Sequence, residues 1–463
     1  MLDLGDYDVA VVGAGVTGIV SAVAAAEAGA NTCLIEASGI LGGLITGGRL
    51  TKPTGVIQPG VYLDLVNAAA GYGGADPSIR VTDWGSYSGI FDTEVMQRVV
   101  IEAIDRAGVD VLLYAQAVDT VKEGRTIAGV AVQTKSGVGI VRARNFVDAS
   151  GDGDLAAVAG ADFMLGRPSD GRMQPMTSYF RIINVDLDAL TQDAIAHADD
   201  MYDLVTPDPN APEGTSGMND FFCRGYVERI QQARSEGFDW ILPKRHITLK
   251  TGMLPGEINV NATRVHGNAL DPRERSHATL EVRRQAYCVH DFLKRYVGGF
   301  ENSVLLEISP VLGVRETRRV VGDYVLTEAD VRSEQRFDDA IGLCTDPIDI
   351  HDPAGEGGNM ESVGRGYGIP YRSLLVAGLD NLLVAGRCLS VDPVAHGSTR
   401  NTPACALTGQ AAGIAAAMAS ADGTGAREVS LSAVQQRLTE LGVVLGREDT
   451  ELASYMQGAY AQS

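Results

Sequence analysis

The chain has 463 residues, of which 45% are hydrophobic and 21% charged, and its 38 Lys and Arg against 59 Asp and Glu give a formal net charge of −21. This length exceeds the ~250 to 300 residues at which one hydrophobic core usually stops growing, so we expect two domains. The negative charge repels nucleic-acid phosphates and anionic lipid surfaces over most of the molecule, which argues against nucleic acid and membrane as partners.

Cysteine spacing and N-terminal composition bear on metals and on the compartment. The six cysteines lie far apart with no CxxC pair, so no zinc ribbon or iron–sulfur cluster is indicated and we predict no metal. The acidic N-terminus lacks the basic and apolar regions of a secretion signal. The Ala-rich stretches 20–30 and 404–418 fall short of the ~20 apolar residues that a membrane span needs. We therefore expect a cytoplasmic protein.

The first elements predicted along the chain form a β-α-β unit. DVAVVGAG (8–15) is a strand-type run that ends at glycines. VTGIVSAVAAAEAGA (16–30) has helical composition, and ANTCLIEA (30–37) is a second strand-type run.

The turn of this unit carries a dinucleotide-binding pattern. Gly13, Gly15 and Gly18 are spaced as GxGxxG, and Glu36 ends the second strand about 20 residues later. The first glycine permits the tight turn, the second lets pyrophosphate approach the backbone, and the third lets helix and strand pack closely. The helix N-terminus then faces the phosphates, and the acid accepts hydrogen bonds from a ribose. At this point the cofactor is either NAD or FAD.

The next elements extend the first domain. EVMQRVVIEAIDRAG (94–108) has apolar residues at helical spacing, and VDVLLYAQAVDTV (109–121) has strand composition. IAGVAVQT (127–134) and GIVRARNFVDAS (139–150) flank a Lys-Ser-Gly turn, which predicts a hairpin.

Between residues 167 and 315 the composition of the chain predicts a different arrangement of elements. TSYFRI (177–182) and HITLKTGM (246–253) have strand composition, VERIQQARSEG (227–237) has helical composition, and the Pro- and Gly-rich run 204–217 predicts a loop. A buried strand, NLLVAGR (381–387), and an Ala-rich helix then follow. We therefore predict that a second domain is inserted into a split first domain.

Several segments together resemble a known family. They are VVGAGVTG with Glu36, LGGLITGG (41–48), DASGDGDLAAVAGA (148–161), GVRETRRVVGDYVLT (313–327), GIPYRSLL (368–375), LLVAGRCLS (382–390) and AHGSTRNTPACALTGQAAG (395–413). In this order and over essentially its full length, the chain resembles the FAD-dependent oxidoreductase family, related to the glutathione reductase and fumarate reductase superfamily.

The resemblance implies an α/β fold with FAD as cofactor. It implies a split Rossmann-type FAD-binding domain, residues 1–166 and 316–463, with an inserted mixed β-sheet substrate domain at 167–315. The ADP half would be bound by Gly13, Gly15, Val16, Thr17, Gly18, Glu36 and Ala37, with Gly42 and Gly43 along it and Val118 giving a backbone contact to adenine. The flavin or ribityl contacts would be Ser150, Gly151, Gly386, Arg387 and, in the last helix, Ala411.

The polar run 395–402 before the Ala-rich helix is the main catalytic candidate. Pro403 suits a first helical turn, with Asn401 or Thr402 as cap, and the positive helix end would stabilise negative charge on the flavin. By similarity to the fumarate reductase pattern, Arg400 would bind a substrate anion and His396 would donate a hydrogen bond or carry a proton. The alternative is that His396 only orders its loop.

Strand alternation supplies the other candidates. It places Tyr179 and Arg181 on one face of a predicted strand, where they would line the substrate side, although a solvated face is the alternative. Asp349 and His351 also share a strand face, but one such pair is poor evidence for metal.

The arginines of segment 313–327 also have two alternative roles. Arg315, Arg318 and Arg319 with Glu316 form either a structural charge network or, through one arginine, a contact to substrate.

These features predict an enzyme that moves a hydride from a small organic substrate to flavin N5. Because no second GxGxxG follows a strand, electrons would enter from the substrate or from a transiently docked donor. The alternatives are reduction of an activated C=C bond and, more remotely, a non-catalytic or RNA-modifying flavoprotein. The sequence leaves the oligomeric state open, with a homo-oligomer as one alternative.

Overall fold

A computed structural model describes residues 1–82, 85–207 and 221–447. Its strands are β1 Leu2–Val12, β2 Thr32–Glu36, β3 Ala75–Thr82, β4 Gly85–Phe91, β5 Asp110–Leu113, β6 Gln116–Glu123, β7 Thr126–Thr134, β8 Gly137–Asp148, β9 Phe163–Leu165, β10 Tyr179–Ile183, β11 Met201–Val205, β12 Phe222–Gly225, β13 Ile247–Thr251, β14 Ile258–Asn261, β15 Val304–Ile308, β16 Arg318–Val320, β17 Ala340–Cys344, β18 Ile348–His351, β19 Gly358–Glu361, β20 Tyr367–Pro370 and β21 Leu382–Val384.

The helices are α1 Val16–Glu27, α2 Val61–Gly71, α3 Thr93–Ala107, α4 Asp154–Val158, α5 Leu187–Ala196, α6 Val227–Ser235, α7 Pro272–Tyr296, α8 Glu328–Arg332, α9 Pro393–Thr399, α10 Thr402–Asp422 and α11 Leu431–Glu440. Most of the loop predicted at 204–217 lies outside the described residues.

The first sheet has seven strands in the order β5-β2-β1-β8-β7-β6, with β21 also paired to β8. β1 is parallel to both β2 and β8, β2 is parallel to β5, and β21 is parallel to β8. The predicted β-α-β unit and the hairpin β7–β8 are confirmed. The carboxyl ends of β1, β8 and β21 therefore meet at one edge, which is where ligands bind in open α/β sheets.

One predicted strand is interrupted. The sequence predicted a single strand over 109–121, but β5 ends before Tyr114, whose φ of +56° turns the chain. The N–H of Tyr114 donates to Ser38 O and that of Ala115 to Glu36 O. These hydrogen bonds to the end of β2 stabilise a left-handed residue that strand composition alone does not reveal.

The second sheet corrects the expectation of a mixed β-sheet. Its six strands follow the order β11-β12-β13-β14-β10-β15, and every pairing is antiparallel. Only residues 252–257 join β13 to β14, and a connection that short returns the chain antiparallel. Phe180 and Leu249 of this sheet share a buried core with Phe292 of α7. The six strands fall between β8 and β21 in sequence, while the domain limits at 166/167 and 315/316 stay a prediction.

Helix α10 packs against α1 through glycines. A Cβ at Gly409 would overlap the carbonyl oxygen of Thr17, and a Cβ at Gly413 would overlap that of Ser21. The two backbones therefore approach as closely as glycine allows. Within the described residues, α10 is the one helix long and apolar enough to cross a membrane, but most of it is buried inside the protein.

The polar run before α10 is a short helix rather than the predicted loop. α9 begins with Pro393, and the Asp392 carboxylate accepts the N–H groups of Val394 and Ala395. An acidic N-cap followed by proline is a helix start signal, which places His396 inside a helical turn.

Candidate functional site

The glycine turn after β1 leaves open space above the start of α1. Gly13 has a φ of +96°, and a Cβ there would lie 2.5 Å from Ser150 Cα. A Cβ at Gly18 would overlap the carbonyl of Gly13, whereas one at Gly15 would meet nothing within 4 Å. Gly13 and Gly18 therefore serve close packing, and Gly15 leaves a bare backbone that a ligand reaches.

Glu36 points back at this turn. Its Oε2 accepts the N–H of Ala14 at 2.8 Å, and its Oε1 accepts that of Ser38 at 2.7 Å. Each carboxylate oxygen keeps a further acceptor position, as a ribose diol requires. Ala37 is exposed beside it, and Val118 at the start of β6 is 42% exposed.

The segment after β2 lies against the glycine turn. The N–H of Gly42 donates to Ala14 O at 2.8 Å, and a Cβ at Gly43 would lie 3.0 Å from Gly15 Cα. Gly42 has a φ of +91°, a conformation that favours glycine. Two stretches of bare backbone thus face each other beside the start of α1.

The group that fits these residues is the ADP half of FAD. The N-cap of α1, Gly15, offers no side chain to the free N–H groups of the first turn, in which Val16 and Thr17 lie. Uncapped N–H groups at a helix start bind pyrophosphate, and the Glu36 carboxylate suits the ribose.

Further residues of the predicted cofactor set meet at the ends of β8 and β21. Arg387 Nη2 donates to Asp152 Oδ1 at 2.6 Å, and a Cβ at Gly151 would lie 2.9 Å from the same nitrogen. Ser150 Oγ bonds Asp148 Oδ1 at 2.7 Å. Gly386 has a φ of +77°, and a Cβ there would overlap the side chain of Thr17. These contacts bring the turn after β21 onto the start of α1.

A cavity of ≈ 120 Å³ lies between these residues and the second sheet. Its walls come from residues 44–54, from 313–315, from β10, β14 and β18, and from the segment that leads into α10. Of the predicted catalytic residues, Tyr179 and Arg400 line it, together with the predicted cofactor residue Arg387. Asn401 and Thr402 at the start of α10 line it as well.

Arg400, Asp349 and His351 form a hydrogen-bonded chain in the cavity wall. Arg400 Nη2 lies 2.9 Å from Asp349 Oδ2, and His351 Nε2 lies 3.4 Å from Asp349 Oδ1. Arg264 Nη2 lies 3.1 Å from His351 Nδ1. Because arginine only donates, Nδ1 accepts and Nε2 carries the imidazole proton toward Asp349.

The charge states in this chain follow from burial and neighbours. Burial alone would raise the pKa of Asp349, but His351 and Arg400 hold it below its usual range. Burial, followed by the positive charge of Arg315, lowers the pKa of His351 to about 3. Asp349 is therefore an anion and His351 a neutral imidazole near pH 7.

Tyr179 presents a phenol to the cavity. Its oxygen accepts a hydrogen bond from Asn261 Nδ2 at 3.0 Å, and burial raises its pKa to about 12. The hydroxyl therefore keeps its proton near pH 7, and that proton is free for a ligand.

Arg315 is a cavity residue that the sequence left with two readings. It is 8% exposed, and its Nη1 donates to Pro175 O at 2.5 Å. Among the described residues it forms no ion pair. Burial, and next the charge of Arg400, lower its pKa to about 9. By contrast, Arg319 pairs with Glu316 and Arg318 with Asp154. The segment 313–327 therefore contains both a charge network and a cavity residue.

His396 and Arg181 lie outside the residues that line the cavity. His396 is 0% exposed, its Nε2 is 3.0 Å from Arg387 O, and its Nδ1 has no partner in the described part of the chain. Burial, then nearby arginines, lower its pKa well below the usual value. Arg181 Nε pairs with Glu257 at 2.5 Å and its Nη1 with Glu307 at 2.8 Å. Strand alternation predicted that Arg181 lines the substrate side with Tyr179, but Arg181 pairs with these carboxylates and does not line the cavity.

The start of α10 also differs from expectation. Asn401 occupies the N-cap position, as one of the two predicted alternatives, but its side chain makes no capping bond, and Asp346 Oδ2 accepts the N–H of Ala404 at 3.0 Å. The Asn401 side chain donates to Pro347 O instead. Ala411 lies about 13 Å along the helix from Thr402, fully buried in the same core as residues of α1. The residues of α10 that reach the cavity are therefore at its first turn.

No group of three or more His, Cys, Asp or Glu side chains that could hold a metal ion occurs within residues 1–82, 85–207 and 221–447.

Comparison with protein families gives a match over most of the chain. The family model described as FAD dependent oxidoreductase matches residues 8–438. No curated protein matches the sequence.

Solved structures with a similar fold have low identity. A geranylgeranyl bacteriochlorophyll reductase-like protein from Thermoplasma acidophilum is 13% identical, with a TM-score of 0.47 over 100% of this chain and 98% of that chain. A flavoprotein/dehydrogenase from Cytophaga hutchinsonii is 13% identical, with a TM-score of 0.42 over 94% and 83% of the two chains. An anhydrotetracycline hydroxylase from Streptomyces rimosus is 11% identical, with a TM-score of 0.43 over 99% and 69%. Likeness at this level carries no argument on substrate or reaction.

Proposed function

This chain belongs to the FAD-dependent oxidoreductase family, and we propose that it oxidises a small organic substrate in the cavity between Arg387 and Tyr179. The cavity itself is the observation that carries the proposal, because its lining includes the predicted cofactor residue Arg387 and polar side chains of the second sheet. When bound, FAD supplies N5 as the hydride acceptor.

The chain's own residues divide into a holding set and a reacting set. Gly15, the first turn of α1 and Glu36 would hold the ADP half of the cofactor, and Arg387 with the turn 150–152 would lie along its remainder. In the reacting set, Tyr179 would act on the substrate and the ion pair Arg400–Asp349 would orient groups of the cavity wall; all three residues line the cavity.

The Tyr179 hydroxyl would direct its proton toward an oxygen or carbon atom of the substrate. Asn261 fixes the phenol by donating to its oxygen, so the hydroxyl hydrogen has one free direction. A fixed donor at the reacting atom contributes about 10²- to 10⁴-fold to such reactions.

Asp349 would orient rather than react. Its carboxylate already accepts from Arg400 and His351, which fixes both side chains in the wall. Leu44, Leu50 and Val314 supply apolar lining that excludes water from the reacting atoms.

One observation favours a second candidate, the reduction of an activated C=C bond. A phenol with its pKa raised to about 12 retains the proton that a product carbon needs. In that direction Tyr179 would be the acid, and in substrate oxidation a water or the substrate's own base would take the proton.

An anaerobic titration tests the proposal. The purified protein should be yellow, and one member of a metabolite panel should bleach its flavin absorbance. After chemical reduction, restoration of colour by an α,β-unsaturated compound alone would favour the second candidate. A colourless protein that takes up no FAD would overturn both.

A further inference from the structure

The arginines around the cavity differ in whether they have a carboxylate partner. Arg387 is matched by Asp152 at 2.6 Å, and Arg400 is matched by Asp349 at 2.9 Å. Arg315 borders the same cavity and forms no ion pair among the described residues, although it is nine-tenths buried. A buried charge without a counter-ion is costly, so its retention calls for a partner that is not part of the chain.

A second buried arginine acts on Arg315 electrostatically. Arg264 is 2% exposed and donates to the carbonyls of Gly355 and Gly357 and to His351. It forms no ion pair in the described part of the chain. In a protein of net charge −21, two buried arginines without ion-pair partners mark a local positive field.

We propose that Arg315 binds a carboxylate of the substrate. This inference rests on the proposed function and specifies its substrate class. A guanidinium offers its donors in a planar fork that matches the two oxygens of a carboxylate. The apolar side chains of Leu44, Leu50 and Val314 suit the organic part of such an acid.

The proposal separates Arg315 from Arg400. The resemblance to the fumarate reductase pattern assigned the substrate anion to Arg400, but its guanidinium Nη2 already bonds both the carboxylate and the carbonyl of Asp349. An anion at Arg400 would compete with that carboxylate, whereas Arg315 has no ion-pair partner among the described residues and feels the charge of Asp349 only from farther away. Arg315 is therefore the better ligand on electrostatic grounds.

The test uses the FAD-loaded protein and simple probes at constant ionic strength. Acetate, propionate and succinate are titrated beside propionamide, chloride and inorganic phosphate. Binding is followed by the change in flavin absorbance and, independently, by the rise in the thermal unfolding midpoint. At least one carboxylate should bind, and the amide, chloride and phosphate should bind at least tenfold more weakly.

Variants connect that binding to the residue. Arg315→Gln should weaken carboxylate binding about 10- to 100-fold, and Arg315→Lys should fall between Arg315→Gln and wild type because it keeps the charge without the fork. Arg125→Gln, which removes a surface cation paired with Asp380, is the matched control and should bind as wild type does.

Three outcomes would overturn the inference: no carboxylate binds, the amide or phosphate binds as tightly, or Arg315→Gln binds carboxylates like wild type. If the flavin is still reduced by a neutral substrate in such a case, the proposed function survives and this inference alone fails. A protein without FAD would overturn the proposed function, while the thermal measurement still reports on Arg315.

Discussion

Arg400 and Asp349 form an ion pair in the wall of the cavity, with Nη2 2.9 Å from Oδ2. The pair joins Arg400, which lies between α9 and α10, to the strand β18, and His351 extends it from two residues along the same strand. A charge that the sequence assigned to substrate is thus largely neutralised inside the protein. Strand β18 and the segment that leads into α10 therefore build part of the polar wall that the proposed reaction uses.

Glu36 should control cofactor affinity. Because its carboxylate is oriented by two backbone N–H groups toward the glycine turn, Glu36→Ala removes hydrogen bonds to the ribose worth about 1.5–3 kcal/mol. The dissociation constant of FAD should rise about 10- to 100-fold in titrations of the apoprotein. Glu102→Ala, at an exposed carboxylate on α3, is the control and should leave it unchanged. Equal affinities for Glu36→Ala and wild type would contradict the assignment.

The contact between α1 and α10 should tolerate no added methyl group. Gly409→Ala and Gly413→Ala each place a Cβ onto the α1 backbone and should lower the free energy of unfolding by about 1–3 kcal/mol. Gly71→Ala, at the end of α2 where a Cβ meets nothing within 4 Å, should raise it by about 0.5–1 kcal/mol. Urea unfolding measures the free energy of unfolding of all three variants. A Gly413→Ala variant as stable as wild type would contradict the close packing of α10 on α1.

Two arginines of the same segment should differ in how much their removal lowers the free energy of unfolding. Arg319→Met strands the buried carboxylate of Glu316 and should cost about 3–5 kcal/mol of unfolding free energy. Arg315→Met leaves no carboxylate without a partner. It should change the free energy of unfolding of the ligand-free protein by no more than about 1 kcal/mol, because only the hydrogen bond to Pro175 O is lost. Chemical unfolding of both variants checks this. A cost for Arg315→Met as large as that for Arg319→Met would show an undetected partner for Arg315.

Asp346 should make stability depend on pH. Burial raises its pKa to about 8 from 3.8, although the N–H of Ala404 bonds its carboxylate. The folded protein holds this proton more tightly than the unfolded chain does. The stabilisation that the proton gives the folded state is therefore complete below about pH 4 and is lost as the pH rises toward 8. Asp346→Asn should flatten the fall in unfolding free energy across that window. Unfolding curves at a series of pH values test it against the exposed control Asp105→Asn, and identical slopes for Asp346→Asn and wild type would refute it.

Local patterns in the sequence predicted the cofactor half of the molecule. The turn at Gly13 and the position of Glu36 depend on residues within one β-α-β unit, where spacing determines geometry. The hydrophobic periodicity of 94–108 likewise predicts α3. The family match confirms the prediction of FAD that these segments supported.

The substrate half depends on contacts that no local pattern encodes. Asp349, Arg315 and Tyr179 come together only because separate parts of the fold border one cavity. His396 is buried because it lies in a helix, α9, that the polar composition of the run did not predict. The 25-residue helix α7 was not predicted, although Asp271 before Pro272 is a helix start signal. Strand pairing in the second sheet was predicted as mixed because composition does not determine strand direction.

The central claim is that the cavity beside Tyr179 is where substrate reacts. The most direct test is the anaerobic single-turnover rate of flavin bleaching by a substrate found in the metabolite panel, for wild type and for Tyr179→Phe, with the exposed Tyr287→Phe as control. Tyr179→Phe keeps the ring and should bind FAD as wild type does. We predict that it bleaches about 10²-fold more slowly, because the hydrogen bond by which the phenol positions the substrate is lost. Bleaching at the wild-type rate with full FAD content would contradict the claim.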